Sequence, residues 1–277
     1  MPDATTPSTA PRVALIGFGE AGEAFARSPE WRGDTRAWDI LPARRSAMAA
    51  YGIETADNAA EALADRVFVL SLVTADAQLD VARDYAQHFA EGALWCDMNS
   101  VSPDKKRAAA QAVYAAGGRY VDVAVMAPVN PAALNVPLLL SGAHALAAQP
   151  LLEALGFSHI RVVGDEVGRA SAIKMIRSVM VKGSEALSAE CAAAADAAGV
   201  FDEVMASLDA SENAAPWADK VAYNRERMAK HGLRRAAEME ESAQTLLGLG
   251  VDPVMTRGTI ACQRSAAKDT SERTDAA

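Results

Sequence analysis

The sequence predicts an α/β fold: a mostly parallel sheet with helices on both faces, followed by an all-helical C-terminal region. Three observations carry this. Short apolar runs alternate with helical stretches up to about residue 166, a glycine-rich turn follows the first run, and strand signals almost vanish from Gly168 onward. Each part of the chain has its own reason.

The opening MPDATTPSTAPR is polar and proline-rich, with no apolar core for a signal peptide, so residues 1–11 read as a disordered lead-in. Val13 to Ile16 suit a buried parallel strand. Gly17, Gly19 and Gly22 then spell GxGxxG around Phe18, Glu20 and Ala21 at a helix start. In such a turn the first glycine permits the bend and the second lets a pyrophosphate approach the backbone; the third lets helix and strand pack closely. A second strand, Thr35 to Asp39, ends in an acid roughly twenty residues on, the position that hydrogen-bonds an adenosine ribose. The combination predicts dinucleotide binding on a Rossmann-type domain. Asp39 favours NAD, whereas Arg44 and Arg45, on a helix from Pro42 to Tyr51, could clamp the 2′-phosphate of NADP.

Val67 to Val73 is a strand, Thr74 to Phe89 a helix and Leu94 to Asp97 a strand. A helix starts at Ser102 with Pro103 in its first turn. Tyr120 to Val125 and Leu138 to Gly142 complete the strand signals. Ligands lie beyond the carboxyl ends of parallel strands, so Val73, Thr74, Asn99, Ser100 and the loop after Val125 emerge on the cofactor side. Helix capping or a turn accounts equally well for Thr74, Asn99 and Ser100.

Gly168 to Gly199 reads as one long helix. Ile173, Met175, Ile176, Val179, Met180 and Val181 surround nearly its whole circumference, as in a buried helix. Lys174, Arg177 and Lys182 interrupt that run, and burying a charge is costly without a partner or a task. Lys174 and Ser178 share a helix face. Burial or a neighbouring positive charge such as Arg177 would bring the Lys174 pKa down from about 10.4, fitting it for proton exchange. Beyond it, Phe201 to Asp209, Asn213 to Ala229, Leu233 to Leu249 and Pro253 to Gln263 read as helices; His231 could reach a cleft as a substrate contact, but a solvated helix face is the simpler account. Residues 265–277 read as a disordered tail. The domains are thus 12–166 for the dinucleotide and 167–264 for substrate and dimerisation.

Net charge is -9 with a pI near 5.0, which argues against nucleic-acid binding. Cys96, Cys191 and Cys262 stand far apart, as reduced thiols of a cytoplasmic protein. Histidine spacing supports no metal site, and no run is long enough for a membrane span.

Together, VALIGFGEAGEAFA, CDMNSVSP, YVDVAVMAP and the Gly168…Lys174…Ser178 segment resemble the β-hydroxyacid dehydrogenase superfamily, which includes 3-hydroxyisobutyrate and 6-phosphogluconate dehydrogenases. The C-terminal KMIRS and HGLRRAAEMEE segments are similar to a lesser-known branch with a helical C-terminal domain. The resemblance implies an NAD(P)-dependent dehydrogenase or reductase for a small hydroxy acid or related alcohol, with Lys174 as general acid/base. It implies that Asn99 and Ser100 line the substrate pocket, and Ser178, one turn after the lysine, could orient the substrate; the helical half must bury its apolar faces somewhere, which predicts a homodimer through it. Two departures stand out: the Ser-Gly-Gly turn falls on Met126, Ala127 and Pro128, and an asparagine position is Ser178. The alternatives are an imine reductase on the same fold, where the lysine position usually holds another residue, and a dinucleotide-binding regulator without chemistry.

Overall fold

The computed structural model describes residues 11–31, 35–211, 216–248 and 250–274. The lead-in expected over 1–11 lies almost wholly outside them. The chain divides into two compact units, Met1–Arg177 and Ser178–Ala277.

In the first unit β1 is Val13–Ile16, α1 Glu20–Ala26, β2 Thr35–Trp38 and α2 Pro42–Met48. The short β3 (Glu54–Thr55) and α3 (Ala59–Leu63) follow, then β4 (Phe68–Ser71) and α4 (Gln78–Tyr85). Next come β5 (Leu94–Asp97), α5 (Pro103–Ala115) and β6 (Arg119–Val125). The unit continues through β7 (Leu138–Ser141), α6 (Ala145–Ala154) and β8 (Ile160–Gly164) into α7 (Arg169–Ala198).

One eight-stranded sheet runs in the order β3-β2-β1-β4-β5-β6-β7-β8. β1 to β6 pair in parallel; β7 is antiparallel to β6, and β8 is parallel to β7. Alternate residues of the inner strands feed two apolar layers, Val13, Leu15, Phe68 and Leu70 on one face and Ala14, Ile16, Val69 and Trp95 on the other. Burial on both faces explains why these strands are continuous apolar runs. Strand order reverses between β1 and β4, so a crevice opens there at their carboxyl ends.

The second unit holds the rest of α7, α8 (Phe201–Ser211), α9 (Trp217–Gly248) and α10 (Val254–Thr274). Two expected helices, 213–229 and 233–249, are one along the described α9. Gly232 does not break it; a Cβ there would stand 2.2 Å from the Gln263 carbonyl oxygen, so the glycine lets α9 and α10 pack closely. The start of the former, 213–215, and Leu249 lie outside the described residues. α10 also continues through much of the segment expected to be a disordered tail, because extending an existing helix costs far less than starting one. Nor is α7 buried all round: Ile176 is 72% and Met180 46% exposed.

Candidate active site at the carboxyl edge of the sheet

The glycine turn leaves β1 with Gly17 at φ +93°, where a Cβ would stand 2.3 Å from the Leu72 carbonyl oxygen. Only glycine fits. Gly22 is also buried against the turn, its missing Cβ 2.9 Å from the Gly17 carbonyl oxygen. At Gly19 a Cβ would meet nothing within 4 Å, and this residue borders a cleft of about 470 Å³. Gly19 is also the N-cap of α1 and carries no capping side chain, leaving the space before that helix to a ligand.

Gly17, Gly19, Glu20, Ala21, Asp39, Val73 and Thr74 all border this cleft. Phe18 contributes its backbone alone: its ring is fully buried, and its N–H donates to Asp39 Oδ2 at 2.7 Å. Asp39 Oδ1 accepts the Leu41 N–H at 2.8 Å, so the carboxylate is held rigidly with lone pairs to spare. Arg45 is committed to the loop, donating to the Asp39 and Ile40 carbonyls and lying over the Trp38 ring. Arg44 borders the cleft and is ion-paired with Glu23 at 3.4 Å. A turn that admits only glycine, an open N-cap and an oriented carboxylate fit a dinucleotide, for which Gly19 would face the pyrophosphate and Asp39 would hold the ribose.

Next along the sheet, the loop after β5 carries Asn99 and Ser100. Asn99 is buried, its amide donating to Asp97 Oδ1 at 2.8 Å and Ser71 Oγ at 3.1 Å; it braces the loop. Ser100 is exposed, and its Oγ accepts a hydrogen bond from Lys174 Nζ at 2.5 Å. Lys174 and Ser100 thus meet within the first unit at the carboxyl edge that also bears the glycine turn. Met126 follows β6, partly buried against Ala124, Leu139 and Ala170. Arg177 is exposed on the succeeding turn. Ser178 opens the second unit, and His231 is exposed on α9 within it.

Beneath the loop lies a charged network that the sequence reading missed. Lys106 of α5, fully buried, donates to Asp97 Oδ1 at 2.9 Å and to the Asp97 carbonyl at 2.6 Å, and pairs with Asp122 Oδ1 at 3.3 Å. Asp97 also accepts from the Tyr120 hydroxyl at 2.6 Å and from Gln78. Burial, then the Asp97 carboxylate, push the Tyr120 phenol above its ordinary value and keep it a donor. Asp122 Oδ2 accepts the Ser171 N–H at 2.9 Å, and Ser141 Oγ accepts the Ala170 N–H at 3.0 Å. These two side chains satisfy the start of α7, the helix that carries Lys174. One ammonium therefore ties the Ser100 loop to the root of the Lys174 helix. Acids at the ends or middles of buried strands, as in LWCD and YVDVAV, were the available signal.

Sheet order, glycine turn and cleft together define a dinucleotide-binding oxidoreductase unit. Residues 12–164 match the NAD binding domain of 6-phosphogluconate dehydrogenase. The chain belongs to that family, within the β-hydroxyacid dehydrogenase superfamily, and has an NAD(P)-binding oxidoreductase fold capable of hydride transfer. Residues 195–266 match a domain of unknown function. A conserved hypothetical protein from Sinorhizobium meliloti is 37% identical, covering 94% of this chain and 90% of that one, with a TM-score of 0.62. A conserved protein described as structurally similar to 3-hydroxyacid dehydrogenases is 29% identical, covering 94% and 97%, TM-score 0.62. An imine reductase from Streptomyces aurantiacus is 23% identical, covering 93% and 95%, TM-score 0.76; one from Myxococcus stipitatus, 20% identical over 94% and 95%, TM-score 0.76, is known with NADP+ and, as a variant, with NAD+.

Proposed function

We propose that this NAD(P)-dependent oxidoreductase reduces the C=N bond of a small imine. The observation that carries the proton side of this reading is the Lys174–Ser100 pair, on the sheet edge that also bears the glycine turn. The likeness in fold to imine reductases supports a nitrogen substrate over a hydroxy acid.

When bound, the reduced nicotinamide supplies the hydride to the imine carbon. The chain's own residues do the rest. Lys174, as an ammonium, donates a proton to the imine nitrogen, which leaves a neutral lysine beside Ser100 and an N–H amine. Ser100 accepts a Lys174 hydrogen bond and so aims the donor, and Asn99 keeps the loop in place. Asp39 favours NAD, while Arg44, the arginine left at the cleft, favours NADP; both cofactors belong in the assay. A cytoplasmic location and a homodimer through the helical region complete the reading. The well-separated cysteines and the exposed Met180, Val181 and Leu187 of α7 support these in turn.

A second reading, oxidation of a small 3-hydroxy acid, is favoured by Lys174 itself, since an alcohol must surrender a proton as well as a hydride. The test follows reduced-cofactor absorbance with NADH or NADPH, cyclic imines and ketone–amine mixtures, and with NAD or NADP and 3-hydroxy acids. Imine reduction outpacing hydroxy-acid oxidation supports the proposal; the reverse order replaces it with the second reading. Cofactor binding without turnover of any substrate overturns both in favour of a regulator.

A further inference from the structure

A second cleft, of about 630 Å³, opens on the first unit beyond β6. Because β7 and β8 run against β6, their starts share an edge with its end, Val125 lying opposite Leu138 and Leu138 opposite Ile160. This is the edge that bears the glycine turn and Ser100. The cleft is bordered by Met126, His159, Arg161, Ile173 and Arg177. Arg161 pairs in register with Leu139, which packs with Ala170 and Ile173 of α7, so its side chain stands on the α7 face. Ile173 and Arg177 share a helix face, and Lys174 directly follows Ile173.

Among the described residues, no carboxylate borders this cleft and none pairs with Arg161, Arg177 or His159. Three basic side chains gathered without an acid, in a chain of net charge -9, run against the protein's overall balance. Arginines, with their planar fork of donors, suit carboxylate and phosphate oxygens. We infer that this cleft binds the anionic end of the substrate, a carboxylate or phosphate, on Arg161 and Arg177, with the reacting carbon toward Lys174. It supplies the grip that Met126, Ala127 and Pro128 no longer offer. The inference rests on the reading above only for what it says of the reacting carbon.

The test uses the full-length protein with NADPH or NADH and two imines, 1-pyrroline-2-carboxylate and neutral 1-pyrroline. Titration calorimetry with succinate and with inorganic phosphate, on protein saturated with oxidised cofactor, separates carboxylate from phosphate and needs no turnover. The carboxylated imine should be preferred at least tenfold in kcat/KM. R161Q should raise its KM by about tenfold, the loss of one charge-assisted hydrogen bond, with kcat, 1-pyrroline reduction and cofactor affinity within about twofold; R177Q should weaken binding of the same anion by a similar factor. Equal loss on both imines in R161Q overturns the inference, as does a preference that survives in the double variant. If neither imine turns over, the reaction reading fails alone: succinate or phosphate binding that weakens in R161Q and R177Q upholds the cleft, and absent or unchanged binding overturns it. Variants that alter sedimentation but not anion affinity mark the cleft as a contact between copies and overturn it as well.

Discussion

Replacing Lys106 with methionine removes the one ammonium that lies between Asp97 and Asp122, at 2.9 and 3.3 Å, in a site with no solvent exposure. Methionine fills much of the same volume, so the loss is electrostatic rather than a cavity. Breaking a buried ion pair by deleting one partner typically costs about 3–5 kcal/mol, because the remaining charge stays buried and uncompensated. For a chain of this size each kcal/mol shifts the melting temperature by roughly 2–4 °C, so the variant should melt about 6–20 °C lower. Adding Asp122→Asn should recover part of the loss. Thermal and urea denaturation at pH 7 measure both. A loss under about 1 kcal/mol, or no recovery on adding Asp122→Asn, would refute the assignment of Lys106 as the charge at the centre of this network.

Gly19→Val should leave the melting temperature nearly unchanged, since a Cβ there meets no protein atom, yet weaken NAD(P) binding at least about tenfold in a fluorescence titration. Gly17→Ala should instead destabilise the fold, its Cβ meeting the Leu72 carbonyl. Glu190 accepts the Met255 and Thr256 N–H groups and the Thr256 hydroxyl at the start of α10. Partial desolvation raises its pKa, but the Thr256 and backbone hydrogen bonds outweigh that and leave it lowered. Its contribution is then present above the unfolded value of about 4.3 and lost as pH falls through the folded one; Glu190→Gln should cost about 1 kcal/mol at pH 7 and less at pH 3. In thiol labelling, exposed Cys262 should react in the native protein while Cys96 waits for unfolding, its thiol fully buried and its pKa pushed up by burial and the Asp97 carboxylate.

What the sequence made legible follows from where the physics is local. A glycine that must adopt positive φ, an acid at the end of the next strand and fully buried apolar strands each leave a mark within a few residues. Gly17, Asp39 and β1, β4 and β5 were readable for that reason. So was the length of α7, bounded by two glycines. Less readable was anything set by partners far along the chain. β8 is a half-exposed edge strand whose Arg161 breaks the apolar pattern, and it runs parallel to β7, itself antiparallel to β6. Gly232 looks like a break in one dimension and is a close approach in three. Lys106 sits in DKKRAAAQ, indistinguishable there from its solvated neighbours; only the two buried acids of β5 and β6 reveal its task. The pairing of Lys174 with Ser100 spans 74 positions, and a resemblance to a known family brought these residues together before their geometry did.

The central claim is that Lys174, aimed by Ser100, delivers the proton that accompanies hydride transfer. Single-turnover reduction of 1-pyrroline-2-carboxylate or 1-pyrroline by saturating reduced cofactor, compared among the native protein, Lys174→Ala and Ser100→Ala, addresses it most directly. Lys174→Ala should slow the step by about 10²- to 10⁴-fold, the usual contribution of a positioned proton donor, with cofactor affinity unchanged and a smaller loss in Ser100→Ala. A Lys174→Ala variant that binds cofactor normally and reduces the imine at the native rate would contradict the account.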